Sequence, residues 1–252
     1  MLLSSNAIVL NRISYSDSSL IFRVFTENYG KITILGKGVL RPKNIIGSLL
    51  EPANHLYIHY YNKSSRDIQI LKDASFVQQY LSIRTNLTKI VLSLAIVEII
   101  DKVTLESNPY PILYKLCWRT LEKLNDNNQN IWLVFTFYLY QLSIRLGFMP
   151  DLEKCSKCFS KLLNANIESY TGEIVCSKCI TNNQMGVEES SFKLLKIIST
   201  LHLDNLLDIN VINNDIFNVI LFLDLFSSIH IEGLNKVKSM KMVRNLINEE
   251  KI

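Results

Sequence analysis

The stretch Gly147-Phe148-Met149-Pro150-Asp151-Leu152-Glu153-Lys154-Cys155-Ser156-Lys157-Cys158, followed after seventeen intervening residues by Cys176-Ser177-Lys178-Cys179, decides how the chain is organised. Two C-x-x-C pairs at this separation have the spacing of a zinc knuckle. Two residues between cysteines let both thiolates turn onto one ion at about 2.3 Å, and a second such turn completes a tetrahedron. Between the pairs, Ala165–Tyr170, Thr171-Gly172 and Glu173–Val175 read as strand, turn and strand. That hairpin returns the second pair to the first. The expectation is one structural zinc ion per chain on Cys155, Cys158, Cys176 and Cys179. Four thiolates leave no open coordination position for a catalytic metal. A redox C-x-x-C ordinarily occurs once, beside a βαβ pattern that this sequence lacks. Four unrelated reduced thiols are the remaining alternative. Cys117, alone in a helical stretch, reads as a core residue.

Working outward, helical patterns flank the knuckle on both sides. Thr85–Leu105, Pro111–Leu124 and Ile131–Leu146 precede it; Ser191–Leu203, Asp215–Ser228 and Lys236–Asn248 follow. Leu87, Ile90, Val91 and Leu94 fall at i, i+3, i+4 and i+7, which predicts one apolar helix face. Gly147 and then Pro150 end the third helix in the usual order. Before about residue 75 the character changes to strands. Ala7–Ser14, Ser19–Thr26, Lys31–Gly36, His55–Tyr61 and Asp67–Leu71 are rich in Ile, Val, Tyr, Phe and Thr and are separated by turn residues. Five short strands suit a small closed barrel, and the five-stranded OB-fold is the natural candidate. The expected fold is α+β and multidomain. An OB-fold barrel (1–78) is followed by a helical domain (79–150 and 184–252) carrying the inserted four-cysteine zinc knuckle (151–183).

Composition excludes several classes. The chain has 252 residues, 48% hydrophobic and 20% charged, with only five cysteines, so it is neither disordered nor a secreted disulfide scaffold. The start, MLLSSNAIVLNR, lacks the basic region and cleavage site of a secretory signal, and a cytoplasmic protein is expected. Two apolar stretches, Ile131–Leu146 and Ile216–Ile231, contain Gln141 and Arg145, and Asp224, respectively. Both fall short of the roughly 20 apolar residues that cross a bilayer, so buried helices and no membrane contact are expected.

The net charge of +4 is mild, but the cations cluster. Arg23, Lys31, Lys37, Arg41 and Lys43 are opposed between residues 23 and 43 only by Glu27. Lys236, Lys238, Lys241 and Arg244 meet no acid until Glu249. Such clusters can meet phosphate, or they can be solvated faces. Tyr29 could stack on a base, although an aromatic residue beside a turn glycine often just packs. Catalytic motifs are absent. His55 and His59 on a strand would stand roughly 13 Å apart, too far to share an ion. Gly30 to Lys37 has five residues between its glycines, and Gly38 follows where a phosphate loop needs Ser or Thr.

In their order, these segments resemble the RecO family of bacterial recombination-mediator and DNA-repair proteins. The resemblance spans essentially the whole chain. Its marks are Gly36-Lys37-Gly38-Val39-Leu40-Arg41, Asn108-Pro109-Tyr110-Pro111, Gly147-Phe148-Met149-Pro150 ahead of the first cysteine pair, and Ser239-Met240-Lys241 near the end. The resemblance implies a non-enzymatic, nucleoid-associated mediator. It would bind single- and double-stranded DNA and anneal complementary strands. With RecR it would help load RecA onto strands coated by single-strand-binding protein. Some members lack the cysteines, so the zinc would be scaffold. On this reading Arg23, Lys31, Lys37, Arg41 and Lys43 are the first candidates for phosphate contact, and Lys238, Lys241 and Arg244 the second. The alternatives are a nucleic-acid-modifying enzyme with a structural zinc, and a protein-interaction adaptor.

Overall fold

Apolar residues at alternate positions of Leu20-Ile21-Phe22-Arg23-Val24 point Leu20, Phe22 and Val24 to one side, and that side becomes the inside of a barrel. The computed structural model describes residues 1–149, 151–168, 171–181, 183–208 and 211–251. Pro150 and Tyr170, to which the sequence assigns a helix stop and a strand end, lie outside the described residues. The chain divides into two units, Met1–Asn125 and Asp126–Ile252.

In the first unit, β1 (Leu2–Ser16), β2 (Ser19–Thr26), β3 (Gly30–Gly36), β4 (His55–Tyr61) and β5 (Ile68–Gln78) close in the order β1-β2-β3-β5-β4. The β3–β5 pair is parallel and the others are antiparallel, giving the expected OB-fold barrel. β1 serves two neighbours. Leu2–Ile8 pairs with β4 and Ala7–Ser16 with β2, and a register shift between Val9 and Asn11 bends the strand from one to the other. Inside lie Ala7, Val9, Phe22, Ile34, Leu56, Ile58 and Tyr60, all essentially inaccessible. Tyr29 packs against this core with its ring edge-on to Tyr60, 6.3 Å between centroids. The short helix α1 (Ile46–Leu49) joins β3 to β4. β5 runs to Gln78, seven residues past the expected end at Leu71, because its second half pairs with β4.

The helices α2 (Leu81–Thr85), α3 (Leu87–Val103) and α4 (Pro111–Asn125) complete this unit. Asn86 caps α3 by accepting a hydrogen bond from Lys89 N, and Pro111 opens α4 where no amide donor is needed. The face predicted for α3 is corrected here. Val91, Leu92, Ala95, Ile96, Ile99 and Ile100 are buried, whereas Leu87 is 66% exposed. The helix is apolar nearly all round and packs against β1, α2 and α4, so several faces are covered and no single stripe governs.

One buried group gives this unit a pH dependence. His55 Nε2 lies 2.9 Å from the Tyr114 hydroxyl, and its ring stacks on Trp118. Burial pushes its pKa from 6.5 down to about 4, against a weaker upward pull from Glu27. The unfolded chain therefore takes up this proton near the ordinary value and the folded chain only near 4. Stability is fully present above the unfolded value and is lost as pH falls through that window, with a slope approaching about 1.4 kcal/mol per pH unit. Denaturant midpoints measured across this range are expected to fall less steeply in His55→Gln; an unchanged slope contradicts the assignment.

In the second unit, α5 (Ile131–Arg145), α6 (Glu189–Thr200), α7 (Asn213–His230) and α8 (Lys238–Glu250) pack on one another, and α6 and α7 meet β8 of a three-stranded sheet of β6 (Ala165–Glu168), β7 (Ile174–Val175) and β8 (Asn183–Val187), ordered β7-β6-β8. Asn130 caps α5 through Trp132 N and Leu133 N. Gly147, in a left-handed conformation with φ +79°, ends that helix's exit turn. Both apolar stretches weighed as membrane spans are core helices: Phe135 and Tyr138 of α5 and Phe222 and Phe226 of α7 are buried. Asp224, the acid within α7, is paired with Arg244 of α8. Among the described residues, no helix is long and apolar enough to cross a membrane.

Candidate metal centre and nucleic-acid interface

The knuckle forms because short backbone turns fold each cysteine pair onto the other. Cys155 N donates to Ser160 O and Phe159 N to Cys155 O, both at 2.9 Å, and Phe159 takes a left-handed φ of 59° to close the turn. Cys179 N donates to Cys176 O at 3.0 Å in the second turn. The β6–β7 register, Asn166 opposite Val175, carries Cys176 back to the first pair. Ser156 fastens the two halves, since both its amide and its hydroxyl donate to Ile174 O.

As a result the sulfurs of Cys155, Cys158, Cys176 and Cys179 all lie within 4.8 Å of one another. Cys158 Sγ and Cys176 Sγ are 3.8 Å apart. A tetrahedron with metal–sulfur bonds of about 2.3 Å has edges of about 3.8 Å, so the set can hold a metal ion. Cys176 N also donates to Cys155 Sγ at 3.3 Å. Hydrogen bonding from Ser160, whose Oγ lies 3.0 Å from Cys158 Sγ, and then from Cys179 and Cys155, lowers the pKa of the Cys158 thiol to about 6. Around the sulfurs, Lys157 Nζ reaches both Glu168 Oε2 at 2.9 Å and the carbonyl of Cys179 at 3.3 Å. Thr181 donates to the other Glu168 oxygen at 2.7 Å. One buried carboxylate thereby links the two cysteine turns.

The basic candidates differ in how deeply they are buried and in which acids hold them. Lys31 is buried, and its Nζ contacts the Asp101 carbonyl at 2.7 Å and the Asp101 carboxylate at 3.5 Å. Arg23 Nη2 lies 2.7 Å from the same carboxylate. Both cations of the β2–β3 face are thus held by one acid of α3, a pairing across some seventy residues that composition does not reveal. In contrast, Lys37, Arg41 and Lys43 are exposed and share the loop after β3. That loop is held firmly. Val39 enters the barrel core, Leu40 N donates to Ser18 O at 2.9 Å, and Gly38 N donates to Ser19 Oγ at 3.2 Å. Gly47 completes the support, because a Cβ there would stand 2.4 Å from Val39 O. In the second unit, Lys238 and Lys241 are exposed on α8, while Arg244 is committed to Asp224.

The outer face of β2 and β3, which OB-folds commonly use for oligonucleotides, is partly covered. The rings of Phe25 and Tyr114 meet at 5.7 Å, and Ser107 N donates to Lys31 O. Gly30 lies so close to Asn108 that a Cβ would fall 2.1 Å from its carbonyl oxygen.

Two family models match the chain: the N-terminal part of recombination protein O over residues 1–80 and the C-terminal part over residues 84–241. The chain belongs to the RecO family. A DNA repair protein RecO from Prosthecochloris aestuarii is 26% identical over 98% of both chains. One from Chloroherpeton thalassium is 26% identical over 98% of this chain and all of its own. One from Salinibacter ruber is 32% identical over 67% of this chain and 61% of its own. The RecO assignment places the barrel, the helical unit and the cysteine cluster in a DNA-repair and recombination protein.

Proposed function

We propose that the chain is a recombination mediator that binds single- and double-stranded DNA through phosphate contacts and anneals complementary strands. With RecR it promotes RecA loading onto strands coated by single-strand-binding protein, and it catalyses no covalent step. The observation that carries this reading is the firmly held, exposed basic loop with Lys37, Arg41 and Lys43, set on an OB-fold barrel in a RecO chain. Annealing requires neutralising two phosphate backbones so that bases can meet, and a fixed cluster of cations does this without sequence preference. Lys238 and Lys241 supply a second basic surface on the helical unit. Arg23, Lys31 and Arg244 contribute indirectly, by holding their elements in place through Asp101 and Asp224.

In this proposal residues 1–78 do the principal DNA work, 79–150 and 184–252 supply the helices, and 151–183 is a zinc-braced insert. Zinc is favoured because four thiolates in a closed set suit that ion and leave no site for a substrate. The protein works in the cytoplasm at the nucleoid. Titration of one sequence as single strand and as duplex at several salt concentrations tests the reading. Both are expected to bind, with log affinity falling linearly against log salt. Absent or salt-independent binding contradicts it.

A further inference from the structure

With the β2–β3 face partly covered, the barrel's open face lies on the opposite strands. On β4 the alternation puts Leu56, Ile58 and Tyr60 inside and Tyr57, His59 and Tyr61 outside. Tyr57 is 39% and Tyr61 47% exposed. The flanking residues differ in character from the rings. Tyr57 stands between Asn6 and Ser75, and His59 between Ser4 and Asp73. Short polar neighbours surround these two rings, whereas Tyr61 lies between Leu2 and Ile70, so aliphatic surface is confined to that end of the face. Tyr57 and His59 meet edge to face at 5.0 Å, so one ring braces the other.

We infer that this β1–β4–β5 face takes bases of single-stranded nucleic acid, stacked on Tyr57, His59 and Tyr61. The inference rests on the DNA-binding reading and deepens it. Outward positions on one strand recur about every 6.8 Å, but Tyr57 and His59 lean together edge to face, so this pair offers one stacking platform and Tyr61 a second further along the strand. Cations line the end of this track. Lys63 lies two residues beyond Tyr61 and shares its loop with Arg66; both are exposed. Buried Gln69 orders that loop, accepting from Lys63 N at 2.8 Å and donating to Arg66 O at 2.7 Å. Two acids adjoin the face: Asp73, which accepts a hydrogen bond from Ala74 N, and Glu27, which accepts one from Asn6 Nδ2 at 2.9 Å. The cleft between β3 and the same loop is a poorer candidate, since Asp67 and Glu106 both line it. Bases in a duplex are already stacked, so the ring track discriminates single strands from duplex, whereas phosphate contacts do not.

The test compares the full chain with the double variants Tyr57→Ala/Tyr61→Ala and Tyr57→Phe/Tyr61→Phe in binding a mixed-sequence single strand and its duplex. The alanine variant is expected to lose roughly tenfold or more in single-strand affinity. Its duplex affinity and salt slope stay unchanged, and the phenylalanine variant keeps wild-type binding. An alanine variant that binds single strands normally overturns the inference, as does an equal loss on both substrates. Normal DNA binding combined with lost activity on strands coated by single-strand-binding protein also overturns it, and would assign the face to a protein. A wild-type chain that binds no DNA defeats the underlying function reading, an outcome distinct from all of these.

Discussion

Replacing Cys176 with serine is expected to abolish metal retention and unfold the knuckle. The hairpin that carries the second cysteine pair is small: β7 spans two residues and β6 four. Its buried residues, Leu162, Ile167, Ile174 and Val175, form too little core to order the two cysteine turns against the entropy of fixing them. On the proposed reading a structural zinc would supply that free energy, on the order of 10 kcal/mol or more in small zinc modules. Cys176 is critical because its sulfur, 3.8 Å from Cys158 Sγ, is one of the four converging ligands, and a serine hydroxyl does not replace a thiolate. Metal analysis of the purified wild type is expected to give about one zinc per chain, and of Cys176→Ser less than about a tenth of that. Limited proteolysis should then cut the variant within the knuckle while leaving the barrel intact. A variant that is metal-free, protease-resistant and fully active would remove the structural role of the metal.

The second large effect concerns the loop after β3. The combined replacement of Lys37, Arg41 and Lys43 by glutamine is expected to leave the barrel folded, since Val39, Gly38 and Leu40 hold the loop through core packing and backbone contacts. Each lost phosphate contact lowers the salt slope by about 0.9 on duplex and about 0.7 on single strands. The triple variant should therefore flatten the slope by about two to three on duplex and by about two on single strands. An equivalent substitution of Arg23 and Lys31 behaves differently. It strands the buried carboxylate of Asp101 and costs stability before it touches DNA affinity. A folded triple variant with wild-type affinity and slope would sink the assignment of the loop.

Much of the fold was legible because its signals are local. Alternation and turn residues located β2 and β4 at their observed limits, and the cysteine spacing anticipated a set of sulfurs that converge. What escaped depends on partners distant in sequence. The second half of β5, Lys72-Asp73-Ala74-Ser75-Phe76, carries no strand signal of its own and is ordered by pairing with β4. β8 is polar and adds to the sheet only because β6 offers it an edge. Burial of α3 follows from three neighbours rather than from its own stripe. The same limit applied to the site. A count of cations cannot distinguish Lys31, buried against an acid of α3, from Lys37, six residues on and exposed. The aromatic alternation of His55-Leu56-Tyr57-Ile58-His59-Tyr60-Tyr61 was present in the sequence. Its meaning required knowing which face of the barrel was already covered.

The measurement that bears most directly on the central claim is annealing of complementary strands coated with the cognate single-strand-binding protein, with and without the RecR partner. Stoichiometric annealing that needs no nucleotide, followed by RecA loading when RecR is added, is the predicted result. Failure to anneal coated strands by a folded, zinc-loaded chain, or turnover of the nucleic acid itself, would contradict the account.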